Sequence, residues 1–196
     1  MNGFREALQR ARELGELAPD ARPERLARSL TTTVYGLGLL SRLPSSGPRV
    51  GDAVAVMLEL LDETNNFAII GYQGLPSPSL WTYPDRSGLA QATTANLADA
   101  RNFVLSLARR FSGSTPTHYA LLSALQYPAD AVILLSDGEP DNSPGFIIQD
   151  ITGLNRYQDK EIHTVAIGDY TQNRGLVMFL QTLARQNGGD FVGVSR

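Results

Sequence analysis

The stretch Ile133–Pro140, ILLSDGEP, sets a tight acidic turn directly behind an apolar run that begins at Ala131. Ala131–Leu135 (AVILL) has no polar face, the pattern of a parallel strand covered on both sides. Its carboxyl end delivers Asp137, at the position where open α/β sheets place their ligand sites. Gly138 allows the chain to turn sharply there. Downstream, Ile162–Ile167 and Phe191–Val194 read as further strands, separated by helical patterns over Phe146–Tyr157 and Gly175–Gln186. Upstream, Phe67–Tyr72 (FAIIGY) reads as a buried strand and Leu80–Tyr83 as a short strand, its Pro-rich approach suiting a sheet edge. Asn96–Arg110 and Pro116–Leu125 read as helices. Strands alternating with helices of roughly 10–15 residues predict an α/β fold, a mostly parallel, Rossmann-like sheet with flanking helices.

Before residue 62 the texture is different. Phe4, Ala7, Leu8, Ala11 and Leu14 recur at helical spacing, and Gly15 follows as a stop signal. Pro23 suits the first turn of a second helix with Leu26, Leu30, Val34 and Leu37 on its apolar face. A break at Pro44–Pro48 leads into a third helix carrying Val50, Val54, Met57, Leu58 and Leu61. The expected organisation is a helical segment over 1–62 and an α/β domain over 63–196.

The composition excludes several classes of function. The 196 residues carry 42% hydrophobic and 19% charged side chains and a net charge of −3, ordinary for a globular protein. Residues 1–61 hold 8 basic against 7 acidic groups (+1), and 62–196 hold 9 against 13 (−4). Neither part is the basic footprint that nucleic acid requires. With no cysteine, disulfides, thiolate nucleophiles and Cys-based zinc sites are excluded. No run approaches the roughly 20 apolar residues of a membrane span, and MNGFREALQR lacks a signal peptide's apolar core. A soluble, cytoplasmic chain is the default expectation.

A strand ending in Ser-Asp-Gly-x-Pro, preceded by the loop Ser112-Gly113-Ser114-Thr115-Pro116-Thr117, resembles the von Willebrand factor A fold. IHTVAIGDY (Ile162–Tyr170) is similar to that family's penultimate strand, and NGGDFVGVS (Asn187–Ser195) to its last. The resemblance implies a metal-ion-dependent adhesion site at the sheet top. There, hydroxyl, carboxylate and water oxygens hold Mg²⁺ or Mn²⁺, and an acidic residue of a partner protein completes the coordination. It places Thr115 and Asp137 as metal ligands, and Ser114, Thr117, Glu139 and Asp141 as outer-shell or loop groups. The family's Asp-x-Ser-x-Ser loop has no counterpart. Asp85-Arg86-Ser87 lies after the FAIIGY strand, and Asp141-Asn142-Ser143 is out of order. The implied site is therefore degenerate, with metal weakly held or absent.

The first strand of the family's sheet is missing together with that loop. Thr31–Leu40 (TTTVYGLGLL) replaces it in one reading, with a helix over 49–63 following. In the other, residues 4–61 are helical and resemble the C-terminal region of TetR-type transcriptional regulators, which implies a homodimer through these helices or a small-ligand module without DNA binding. The two readings stay open here. For residues 63–196 the expected function is a non-catalytic protein-binding module; an interaction role that needs no metal would use the loops after Ile70, Gly113 and Leu135. No catalytic residue is expected. His118 reads as a surface or capping group at a helix start and His163 as a structural strand residue, and neither builds a triad. Trp81 and Tyr83 read as sheet packing.

Overall fold

The computed structural model describes residues 9–10, 13, 50–74, 79–85, 88–107, 114–157 and 160–194. The chain divides into two compact units, Met1–Arg42 and Leu43–Arg196. Of the first, only Gln9, Arg10 and Glu13 are described, all helical and exposed. The Thr31–Leu40 strand and most of the TetR-like helices therefore lie outside the described residues. The change of texture near residue 62 falls inside the second unit.

Within that unit, helix α1 (Val50–Glu59) is followed by β1 (Asn66–Phe67), β2 (Ile69–Gln73), β3 (Ser79–Tyr83) and β4 (Ala90–Gln91). Then come α2 (Thr94–Leu107), α3 (Thr117–Leu125), β5 (Ala131–Ser136), α4 (Pro144–Asn155), β6 (Glu161–Ile167), a 3₁₀ turn (Tyr170–Gln172), α5 (Arg174–Gln186) and β7 (Phe191–Val194). The alternation read from the sequence is present, with boundaries kept or moved by up to three residues. FAIIGY is not one strand. It breaks at Ala68, so that Phe67 pairs with Ala90 while Ile69–Gln73 pairs antiparallel with Ser79–Tyr83.

β5, β6 and β7 form a parallel three-stranded sheet in sequence order, with Ile133 opposite His163 and Val165 opposite Val192. Parallel neighbours need crossovers, and right-handed crossovers that step in one direction place both helices on the same face. Val132 and Leu134 of β5, Ile162 and Ala166 of β6 and Phe191 of β7 turn to that face. There they meet Ile147 and Ile151 of α4, Leu176, Phe179, Leu180 and Leu183 of α5, and Leu121 and Leu125 of α3. β6 is buried along its whole length, as a central strand should be. β5 corrects the expectation of cover on both sides, because Ile133, on the opposite face, is 44% exposed. Asp130 gives its carbonyl to Glu161 N–H in β6. By the alternation of the strand, the carbonyls of Ala131, Ile133 and Leu135 point to the other edge. No strand among the described residues pairs with that edge.

A second core holds α1 and α2 against the small strands. Leu58, Phe67, Ala92 and Ala100 are its buried centre, with Val54, Ile69, Tyr83 and Leu97 around them. Tyr83 stacks on Phe67 with ring centroids 5.9 Å apart and donates its hydroxyl to Asn96 O at 3.0 Å, so it is a packing residue as expected. Arg101 of α2 pairs with Glu59 of α1. The lower corner of the sheet is closed by a buried polar network. Asn155 Nδ2 donates to Lys160 O (2.7 Å) and to Asn187 Oδ1 (2.9 Å), and Lys160 N–H donates to Asn155 Oδ1 (3.2 Å). Lys160, 9% exposed, donates from Nζ to the carbonyls of Tyr127 (2.8 Å) and Ala129 (3.0 Å).

Candidate functional site

Three chain segments meet at the carboxyl end of β5. β2 is followed directly by Gly74, whose N–H donates to Ser114 O at 2.9 Å. Thr115 N–H donates to Asp141 Oδ1 at 2.6 Å, and Asp141 N–H donates to Thr115 O at 3.0 Å. This reciprocal pair clasps the loop before α3 to the loop after β5. A Cβ on Gly74 would lie 1.7 Å from Ser114 Oγ and 3.1 Å from Asp141 Oδ2, so only glycine permits the approach. Inside the turn, Ser136 Oγ donates to Gly138 O at 2.8 Å.

The expected residues are distributed around this junction. Thr115 is half-buried and Ser114 exposed at the loop, while Thr117 is buried at the start of α3. Asp137, Glu139 and Asp141 are exposed on the turn. Thr115 and Asp141 are brought together by direct hydrogen bonds. Glu139 leans away toward the start of α5, its Oε1 2.9 Å from where a Gly175 Cβ would stand, a position favoured for an anion by the helix dipole. The segments that meet carry Gly74, Ser114 with Thr115, and Asp141.

Tyr72 and Gly74 were not anticipated. Tyr72 donates its hydroxyl to Leu135 O at 3.3 Å, on the outer edge of β5. Burial of the phenol pushes its pKa up to about 12; the Thr117 and Ser136 hydroxyls hold it back in part, and the Asp137 carboxylate adds to the rise. Gly74 carried a signal, since a lone glycine closing a strand pattern marks close backbone approach. Tyr72 carried none, because an aromatic in a strand is ordinary packing until the fold is known.

Neither histidine faces the junction. His118 Nε2 lies 2.8 Å from Asp150 Oδ2 on α4, and its ring meets Phe146 edge-on at 4.9 Å. His163 is buried in β6, where Nδ1 accepts from Asp190 N–H at 3.0 Å, the structural role read from the sequence.

A divalent cation takes six or more oxygens in a near-octahedral or larger shell. Thr115 and Asp137 offer one hydroxyl and one carboxylate, Asp141 Oδ1 is already engaged, and Glu139 lies toward the start of α5. Among the described residues no three His, Cys, Asp or Glu side chains converge on a point that could hold a metal ion. The donor set falls short of a complete shell, and an ion placed here would keep most of its coordination as water.

The described unit is thus an α/β structure with a loop junction at its sheet top. No protein-family model matches the chain, and no solved structure does. Two human proteins are similar. The von Willebrand factor A domain-containing protein 3A is 31% identical over 104 residues, 53% of this chain and 8% of that protein. The von Willebrand factor A domain-containing protein 3B is 31% identical over 109 residues, 54% of this chain and 8% of that protein. The chain spans 8% of the length of the relatives it matches. These similarities support a von Willebrand factor A-like region over about half the chain. They lend nothing to the TetR resemblance.

Proposed function

We propose that the second unit is a non-catalytic protein-binding module of the von Willebrand factor A type, with a degenerate metal-ion-dependent adhesion site. The observation that carries this reading is the convergence of three chain segments at the sheet top, clasped by the reciprocal hydrogen bonds of Thr115 and Asp141. Thr115 and Asp137 would hold Mg²⁺ or Mn²⁺, and the ion would supply a Lewis-acidic point for an acidic residue of a protein partner. Ser114, Thr117, Glu139 and Asp141 shape the loops around that point.

Thermal unfolding with and without millimolar Mg²⁺ or Mn²⁺, beside Asp137→Ala, tests the reading. A weak site at a cation concentration near its dissociation constant adds about 0.4 kcal/mol, against about 2.7 kcal/mol at a hundredfold excess. The expected result is a small upward shift that Asp137→Ala abolishes. A shift of the larger size would show an intact site, and one that survives Asp137→Ala would place the cation elsewhere. Either result overturns the degenerate site.

A further inference from the structure

A chemically labile dipeptide stands at the end of α5. Asparagine deamidates when the amide nitrogen of the next residue attacks its side-chain carbonyl, and glycine, with no Cβ, leaves that nitrogen least shielded. Asn187–Gly188 is such a pair, and the helix end asks for its glycine. Gly188 lies just past α5 at φ 70°, the left-handed conformation that favours glycine after a helix. Asn187 before it is 5% exposed, and both polar atoms of its side chain are engaged. Nδ2 donates to Leu183 O at 2.8 Å and to Thr152 Oγ1 at 3.0 Å, and Oδ1 accepts from Asn155 Nδ2 at 2.9 Å. The backbone at Asn187 has ψ 23°, so ring closure needs side chain and main chain to turn together.

From this arrangement we propose that Asn187 is a modification site gated by the fold. Spontaneous deamidation is blocked while the α4–α5 polar network is closed and proceeds when the turn before β7 opens. The chemistry needs no reagent beyond water. The Gly188 nitrogen bonds to Asn187 Cγ, its proton leaves with the expelled ammonia, and water then opens the succinimide to aspartate or isoaspartate. Neither product fits the closed turn. A carboxylate oxygen in place of Nδ2 would face the Leu183 carbonyl, two acceptors with no proton between them. Isoaspartate adds a carbon to the main chain of a turn pressed against β6, where even a Cβ on Gly189 would lie 2.1 Å from Ile162 O. That turn also ties β7 to β6. Ile162 N–H donates to Asn187 O (3.3 Å), Asp190 N–H to His163 Nδ1 (3.0 Å) and Thr164 N–H to Asp190 O (2.9 Å). A transient opening is thereby made permanent, because the converted turn does not dock again and β7 stays loosely held.

Peptide mass spectrometry of the full chain, aged at mildly alkaline pH with and without denaturing urea, tests this directly. The chain carries its own references. Asn2–Gly3 is the other Asn–Gly pair in the sequence. Asn142–Ser143, exposed after β5, is slower by chemistry alone, because serine shields its amide nitrogen with a Cβ. In urea, Asn2 and Asn187 should convert together and ahead of Asn142. In buffer, Asn187 should fall at least about tenfold below its own rate in urea, and behind Asn142, since conversion then waits on local opening. Thr152→Val and Asn155→Ala each remove one bond to Asn187. Under conditions where circular dichroism shows these variants folded, each should speed conversion at Asn187 several-fold. Asn187→Asp installs one product, and should speed amide hydrogen exchange at Asp190 and Thr164. Equal rates at Asn187 in buffer and in urea overturn the proposal without recourse to any variant. So do folded variants that leave the Asn187 rate unchanged, or parental exchange in Asn187→Asp.

Discussion

Two residues at the sheet top, Gly74 and Tyr72, each give a measurable prediction. Gly74→Ala brings a methyl group to 1.7 Å from Ser114 Oγ and 2.9 Å from Ser114 Cβ, so a loop must move. Overpacking of this kind costs about 1–3 kcal/mol, to be read as a lowered midpoint in urea. A second change, Ser114→Gly, should recover part of the loss, because it removes the atoms met. Tyr72 gives a pH signature. Its phenol is raised from 10.0 to about 12 by burial, so between those values the folded chain holds a proton that the unfolded chain has lost. Stability is full below pH 10 and declines as pH rises toward 12. Ultraviolet titration should show a late tyrosine among the seven. Burial also raises Tyr83, so Tyr72→Phe is the variant that assigns the late component. Asp137 and Thr115 were legible in the sequence because a motif carries them. Gly74 and Tyr72 acquire meaning only when β2 is laid beside the outer edge of β5, a long-range placement with no local signal.

At the scale of elements, periodicity did well where both neighbours are close in sequence. Phe191–Val194 has the limits that were read, and α2, α3, α4 and α5 start within two residues of theirs. FAIIGY failed for a physical reason. Strand propensity cannot see that Phe67 joins the α1–α2 core while Tyr72 joins the main one, and the chain must break between them. β5 was overread in the same way, since an apolar run is equally at home on a face left partly open. The α4–β6 corner shows what patterning also missed, a polar core. Asn155→Ala would strand Lys160 N–H and O and Asn187 Oδ1 without Asn155. Each buried group left unsatisfied costs about 1–3 kcal/mol, so a loss of about 2–4 kcal/mol is expected in equilibrium unfolding, larger than for truncation of exposed Gln149. A loss under about 1 kcal/mol, typical of a surface substitution, would mean that the network is solvated rather than structural.

For the whole molecule, the boundary between compact units falls at Arg42, not where the hydrophobic pattern changes. α1 looks like the helices before it in sequence, yet its Leu58 and Val54 pack with Phe67 and Leu97. Period alone cannot say which neighbours a helical stripe will meet. Composition also bears on the chemistry of the folded surface. Lys160 is the chain's one lysine, and the fold seals it at the corner before β6 with Nζ held by two carbonyls. Amine-directed reagents therefore have no ready side-chain target on the described surface. Acylation of Lys160 becomes a clock for the opening of that corner, and a digest at lysine alone becomes a one-cut assay of whether the chain is folded.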